Sequence, residues 1–291
     1  MNESALLGMA MLGLLAATGD GGQRKKRAEP PPPSQVYKTV GEAKLKAFVY
    51  APAGHQPTDK RPAIVFFFGG GWVGGSPRQF DQHARYLASR GMVAITVEYR
   101  TKKSHGVAPF ACVADARSAM RWVRANAAKL GIDPGRVAAG GGSAGGHLAA
   151  ATAFVEGFDD PADNMSVSPK PNALCLFNPV IDTTEKGYGA SRLGDKKVAF
   201  SPVHHVAKGA PPTIVFHGTA DKTVPFENVQ RFAQRMKAVG ARCELVAFEG
   251  KGHGFFNYGR DGGDAYRKTV RAMDRFLASL GWLEGEPTLD E

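Results

Sequence analysis

Residues 62–71, PAIVFFFGGG, are apolar at consecutive positions and then stripped to glycine. A strand with one wet face alternates polar and apolar residues, so a run without alternation predicts a strand covered on both sides. MVAITVEYR (92–100) reads as another buried strand, RVAAGG (136–141) leads into the next turn, and ALCLFNP (173–179), PTIVFHG (212–218) and CELVAF (243–248) read as three more short apolar strands. Between these runs, FDQHARYLASRG (80–91), ACVADARSAMRWVRANAAKLG (111–131, closed by Gly131), HLAAATAF (147–154), ENVQRFAQRMKAVG (227–240) and DAYRKTVRAMDRFLASLG (264–281) carry helical patterning. Strands that alternate with helices predict an α/β fold with a mostly parallel central sheet and helices on both faces. QVYKTV (35–40) and AKLKAFVYAP (43–52) do alternate and read as paired edge strands.

A chain of 291 residues that is 43% hydrophobic has ample material for such a core. The first 33 residues read differently. The apolar run Ala5–Ala17 is too short to span a bilayer and resembles a secretory signal core with a small-residue exit at Ala16-Ala17, although MNES supplies no basic residue before it. The basic run Arg24–Arg27 and the prolines Pro30–Pro33 read as a semi-rigid spacer. This divides the chain into a leader and spacer (1–33) and one folded domain (34–291), and predicts a secreted or periplasmic protein without stable membrane insertion. Cys112, Cys175 and Cys243 are far apart, form no C-x-x-C pair and read as buried thiols. The net charge of +10 is spread along the chain without interleaved aromatics, so nucleic-acid binding is not indicated.

The segment GGGSAGGHLAA (140–150) sets one hydroxyl, Ser143, among glycines at the junction between a strand and a helix. It fits G-x-S-x-G, the sharp turn that lifts a nucleophile above the edge of a sheet. A flexible Gly/Ser linker is the plain alternative, but a linker has no reason to sit between a buried strand and a helix. A serine nucleophile needs a base, an acid to orient it and donors for the oxyanion. Asp221 follows one strand in GTADKTVPF and His253 follows the next in GKGHGFF, giving the chain order Ser, Asp, His. Gly70 and Gly71, after the strand at 62–68, are placed to turn N–H groups towards a developing anion, with the N–H of Ala144 as the third donor. A phosphate cradle is the competing reading of these glycines, but no G-x-x-x-x-G-K-[ST] occurs in the chain.

With these pieces in place, the chain from Val36 onward resembles the α/β-hydrolase superfamily and, within it, the hormone-sensitive-lipase-like and acetylxylan-esterase-like carboxylesterases. FGGGW, VEYR, GIDPGRVAAGGGSAGGHLAA, SPVHHV, FHGTADKTVPF and GKGHGFF carry the resemblance. It implies an α/β-hydrolase fold with a small cap only, Ser143 as nucleophile, Asp221 and His253 as its partners, and Gly69–Gly71 as the oxyanion segment. One departure is Phe68, where the family's loop usually begins with histidine. The substitution predicts apolar anchoring of the loop.

Rivals for each role are weighed on position. His217, at a strand end, reads as a packed residue, and so does His147, within the helix after the elbow. His204 and His205 read as surface or pocket-wall residues, and Asp182 is the alternative acid. Trp72 reads either as a wall of the acyl pocket or as a core residue. The expected activity is hydrolysis of short-acyl esters, acetyl above all, on a small ester or an acetylated polysaccharide such as xylan, with no metal or organic cofactor. Feruloyl or other aryl esters, a peptidase of the same superfamily and a catalytically silent binding module are the alternatives.

Overall fold

Branched and aromatic side chains crowd a helix but fit a pleated surface, and they dominate the apolar runs. In the computed structural model, which describes residues 32–290, each run is a strand. The strands are β1 (Ser34–Val40), β2 (Ala43–Tyr50), β3 (Arg61–Phe67), β4 (Val93–Val97), β5 (Ile132–Gly142), β6 (Ala173–Phe177), β7 (Thr213–Gly218) and β8 (Cys243–Phe248). They form one sheet in the order β1-β2-β4-β3-β5-β6-β7-β8. β1 pairs antiparallel with β2, and β2 with β4, whereas every pair from β4 to β8 is parallel. Only β1 of the two alternating segments is an edge, because β2 is paired on both sides. The leader-like run and the spacer through Pro31 lie outside the described residues.

Successive side chains of a strand leave opposite faces, and the two cores divide accordingly. Val65, Phe67, Leu174 and Leu176 enter one core, with the helices α3 (Pro109–Ala125), α4 (Ala144–Phe154) and α5 (Phe226–Ala238). Ile64, Phe66, Cys175 and Phe177 enter the other, with α1 (Asp81–Ser89) and α6 (Asp264–Ser279). A single turn, α2 (Lys102–His105), follows β4.

The third helix is shorter than its sequence suggests, ending at Ala125 instead of continuing to Gly131. Asn126 folds its side-chain amide back to the Trp122 carbonyl at 2.9 Å, a local bond that competes with further helix. Gly131 serves a different purpose. Its φ is 62°, and a Cβ there would stand 2.4 Å from the Gln56 carbonyl oxygen.

Residues 180–210 form the longest excursion between strands. They hold three short 3-10 turns, at Ala190–Arg192, Gly194–Lys197 and Pro202–His205. Leu193, Phe200 and Val203 of this segment are buried in the α3–α5 core. The excursion therefore lies down on the domain as a thin cover.

Candidate active site

The carboxyl ends of parallel strands share one edge of the sheet, which is where loops from β3, β5, β7 and β8 can meet. β5 ends at Gly142 and α4 begins at Ala144, so the chain reverses within Ser143. Ser143 has φ 54° and ψ −120°, a conformation an L-residue holds only under constraint from its surroundings. That constraint is close contact. A Cβ on Gly145 would lie 2.1 Å from the Phe67 carbonyl oxygen, and one on Gly142 would lie 2.4 Å from the Phe256 ring. The Ser143 N–H donates to Phe177 O at 2.9 Å and its carbonyl accepts from Val180 N–H at 3.1 Å, tying the turn to the end of β6.

The loops after β7 and β8 bring Asp221 and His253 to this serine. His253 Nε2 lies 2.9 Å from Ser143 Oγ, and His253 Nδ1 lies 2.7 Å from Asp221 Oδ2. An ionised carboxylate only accepts, so the hydrogen-bond network assigns the imidazole proton to Nδ1 and leaves Nε2 to accept from the serine hydroxyl. The other oxygen of Asp221 accepts the N–H groups of Thr223 and Val224 at 2.8 and 3.0 Å. Burial on its own would raise the pKa of this carboxyl. Donors from His217, His253 and the Val224 backbone outweigh burial and hold the group well below the usual carboxylate range. His217 is thus a supporting residue: its Nε2 is 3.0 Å from Val224 O and 3.4 Å from Asp221 Oδ2.

The glycine loop after β3 faces the same serine. Phe68 stacks on Tyr99 with centroids 4.0 Å apart, and the Tyr99 hydroxyl donates to Phe68 O at 2.7 Å. An apolar stack and one hydroxyl thus anchor the loop where a histidine is usual. Gly70, at φ 125°, has no room for a Cβ, which would fall 2.0 Å from Gly74 O. Among the described residues the N–H groups of Gly70, Gly71 and Ala144 donate to no protein acceptor. The Ala144 N–H belongs to the first turn of α4, where backbone donors have no partner within the helix.

Three polar residues that sequence reasoning missed brace these loops. Gly69 N–H donates to Gln79 Oε1 at 2.6 Å, Gln79 Nε2 to Asn257 Oδ1 at 2.9 Å, and Asn257 Nδ2 to Gly254 O at 2.8 Å. Asn178 Oδ1 accepts the Gly254 N–H at 2.9 Å. Asn178 follows directly on β6, a strand-end position that could have marked it; nothing local marks Gln79 or Asn257.

The rival residues are engaged elsewhere. His147 is buried in α4 with Nε2 2.8 Å from Phe200 O. His204 meets Ser201, and His205 is exposed with Nε2 3.1 Å from Val198 O. Asp182 accepts from Thr184 and Arg231. Trp72 is 1% exposed and packs against His147, Tyr188 and Phe200. It also lines a cleft of about 290 Å³ that opens beside Gly71. The three cysteines are free thiols, and burial pushes those of Cys112 and Cys243 up to about 12. Among the described residues no three His, Cys, Asp or Glu side chains are grouped to hold a metal ion, and no helix is long and apolar enough to cross a membrane.

Comparison with known proteins places this geometry. The chain is 30% identical over 221 residues to esterase LipC of Mycobacterium tuberculosis, covering 68% of this chain and 54% of LipC. It is 27% identical over 221 residues to the isoprenylcysteine alpha-carbonyl methylesterase ICME of Arabidopsis thaliana, covering 66% of this chain and 50% of ICME. It thus spans about half the length of these two relatives. Among solved structures, Thermogutta terrifontis esterase 2 phosphoramylated by tabun superposes with a TM-score of 0.86 at 50% identity, over 90% of this chain and 100% of that one. The same esterase with propionate bound gives 0.85 at 50% identity, and with butyrate bound 0.85 at 49%, each over 88% of this chain and 97% of that one. Residues 64–257 match the alpha/beta hydrolase fold family. With more than half of its length matched in this way, the chain belongs to the alpha/beta hydrolase fold family.

Proposed function

We propose that the protein is a serine carboxylesterase that works through an acyl-enzyme. The observation that carries this reading is the hydrogen-bonded series Asp221–His253–Ser143, ending in front of a glycine loop with unengaged N–H groups. His253 Nε2 takes the hydroxyl proton as Ser143 Oγ attacks the ester carbonyl, and Asp221 holds the imidazole in orientation. Charge gathering on the carbonyl oxygen is met by the N–H groups of Gly70, Gly71 and Ala144. His253 then returns its proton to the leaving alcohol, and a water activated by the same imidazole releases the acid. Every step uses a protein group or water.

The favoured substrates are esters of short acids, acetyl or propionyl, on a small alcohol or an acetylated polysaccharide. The thin cover formed by residues 180–210 supports this, because it builds no broad apolar lid for a long tail. The propionate and butyrate forms of Thermogutta terrifontis esterase 2 point the same way. Each methylene left in water forfeits about 0.8 kcal/mol of binding, so chain length stops helping once the tail leaves the pocket. The leader-like run Ala5–Ala17 supports export as part of the same reading, which N-terminal sequencing of the mature protein tests.

A fluorophosphonate probe followed by peptide mapping is expected to label Ser143 stoichiometrically. Absence of label on Ser143 overturns the esterase reading. The kcat/KM values for p-nitrophenyl esters from acetate to palmitate are expected to peak at acetate or propionate, and an optimum at octanoate or beyond overturns the short-acyl preference.

A further inference from the structure

Buried and half-buried arginines in this protein commonly meet an aspartate. Arg90 pairs with Asp274, Arg100 with Asp115, and Arg117 and Arg121 with Asp159. Arg192 does not. It reaches from the 3-10 turn Ala190–Arg192 to the oxyanion loop, where Nη1 donates to Gly71 O at 2.6 Å. Its guanidinium lies 5.2 Å from the Trp72 ring centroid and 5.0 Å from that of Tyr188. One carbonyl and two aromatic faces thus fix the head group, and one of its five N–H donors is used.

Arg192 lines the cleft beside Gly71, and so does Lys102 at the start of α2. The backbone N–H of Lys102 is bonded to Trp72 O at 3.1 Å, so α2 is fastened to the same loop. Among the described residues no carboxylate lies within 4.0 Å of Lys102 or Arg192, and the cleft lining contains no Asp or Glu. The rest of the lining is largely apolar, with Trp72, Val73, Val107 and Pro109. Two cations beside one partly apolar groove, with no carboxylate in its lining, give it a positive potential. A fixed guanidinium with free N–H donors matches the planar geometry of a carboxylate.

We propose that this cleft is a carboxylate subsite, so that the enzyme prefers esters carrying an anionic carboxyl group on one of their two halves, as an acetylated acidic sugar does. The proposal rests on the esterase reading. Gly71 is common to the cleft lining and to the proposed oxyanion donors, so the subsite adjoins the glycine loop. Lys102, on a flexible stem, adds a second, exposed charge at the rim.

The test compares isosteric pairs in which carboxylate is exchanged for carboxamide. On the alcohol side the pair is 4-acetoxybenzoate and 4-acetoxybenzamide; on the acyl side it is the p-nitrophenyl half ester of glutaric acid and its terminal amide. Ser143→Ala supplies the uncatalysed background. The expected result is a kcat/KM ratio of about fivefold or more in favour of the carboxylate on at least one side, the scale of a partly screened charge pair. Raising NaCl from about 20 mM to about 500 mM should shrink that ratio, because the Debye length falls several-fold. Arg192→Gln and Lys102→Met should each lower it, and Lys102→Glu should turn it below one. A ratio at or below one on both sides in the wild type overturns the proposal, as does a ratio that Lys102→Glu leaves unchanged. If Ser143 takes up no fluorophosphonate and neither member of either pair is hydrolysed, the esterase reading itself has failed. If labelling and hydrolysis persist without charge preference, only the subsite has.

Discussion

Gln79 and Asn257, 178 residues apart in sequence, meet amide to amide at 2.9 Å. Through them the backbone of the glycine loop after β3 is joined to the backbone of the loop that carries His253. In the proposed mechanism donor placement and base placement are therefore set together, and a displacement of one loop pulls on the other.

Gln79→Met keeps the length of the side chain and removes both of its bonds. The expected outcome is a kcat about ten- to a hundredfold lower, with KM within about twofold, since the donors act chiefly in the transition state. Fluorophosphonate labelling should slow in parallel. Steady-state kinetics with unchanged kcat would show that the bridge is only structural.

Ser143→Ala should lower kcat by about 10⁴- to 10⁶-fold. Ser143→Gly should be equally inactive, yet at least as stable as the wild type. Glycine adopts positive φ freely and relieves strain of about 1–3 kcal/mol, offset by about 1 kcal/mol of unfolded-chain entropy. Thermal melts of the two variants decide it. A Ser143→Gly melting temperature several degrees below that of the wild type contradicts the strain.

His253→Ala and Asp221→Asn should each reduce kcat by about 10⁴-fold. His217→Ala, which removes a donor shared between Val224 O and Asp221, should cost roughly 1–3 kcal/mol of stability and a smaller part of kcat. Asp182→Asn should leave kcat close to wild type, because Asp182 serves Thr184 and Arg231. If the larger kcat defects follow His217 or Asp182, the assignments change hands.

His83 is wholly buried among Phe66, Phe80, Phe177, Phe256 and Tyr266, and neither ring nitrogen has a partner. Burial pushes its pKa down to about 3. In the unfolded chain an imidazole titrates near 6.5, so below that pH the unfolded state binds a proton that the folded state excludes. Stability is then complete above about pH 6.5 and declines as pH falls, by roughly 3 kcal/mol for this residue at pH 4. His83→Leu should match or exceed wild-type stability at neutral pH and lose less of it on acidification. Urea melts at both pH values test this, and equal acid losses in the two proteins would falsify it.

How much was legible in the sequence follows from where each signal lies. Ser143, Asp221 and His253 each follow a largely apolar strand, so chain order and sheet topology alone bring them to one edge. Gln79 lies in a 3-10 turn (Pro77–Phe80) before α1 and Asn257 in the loop after β8, and their meeting depends on tertiary packing that no local pattern encodes. The premature end of α3 turns on one side-chain bond from Asn126, weaker as a sequence signal than the glycine five residues later. Trp72 follows the second of its two readings, a residue buried in the core, with one edge at the cleft beside Gly71.

The crowding around the elbow also bears on how such an enzyme can change. At Gly141, Gly142 and Gly145 a single added carbon collides with backbone or ring atoms at 2.1 to 2.6 Å, so these positions are closed to drift. Arg192 and Tyr188, by contrast, belong to residues 180–210, a stretch of short turns outside the sheet in which the crowding is confined to positions such as Gly187, where a Cβ would lie 1.9 Å from Asp182 O. On the proposed function, new substrate preferences should therefore arise by rewriting the open parts of that cover, while the turn that holds Ser143 is inherited intact.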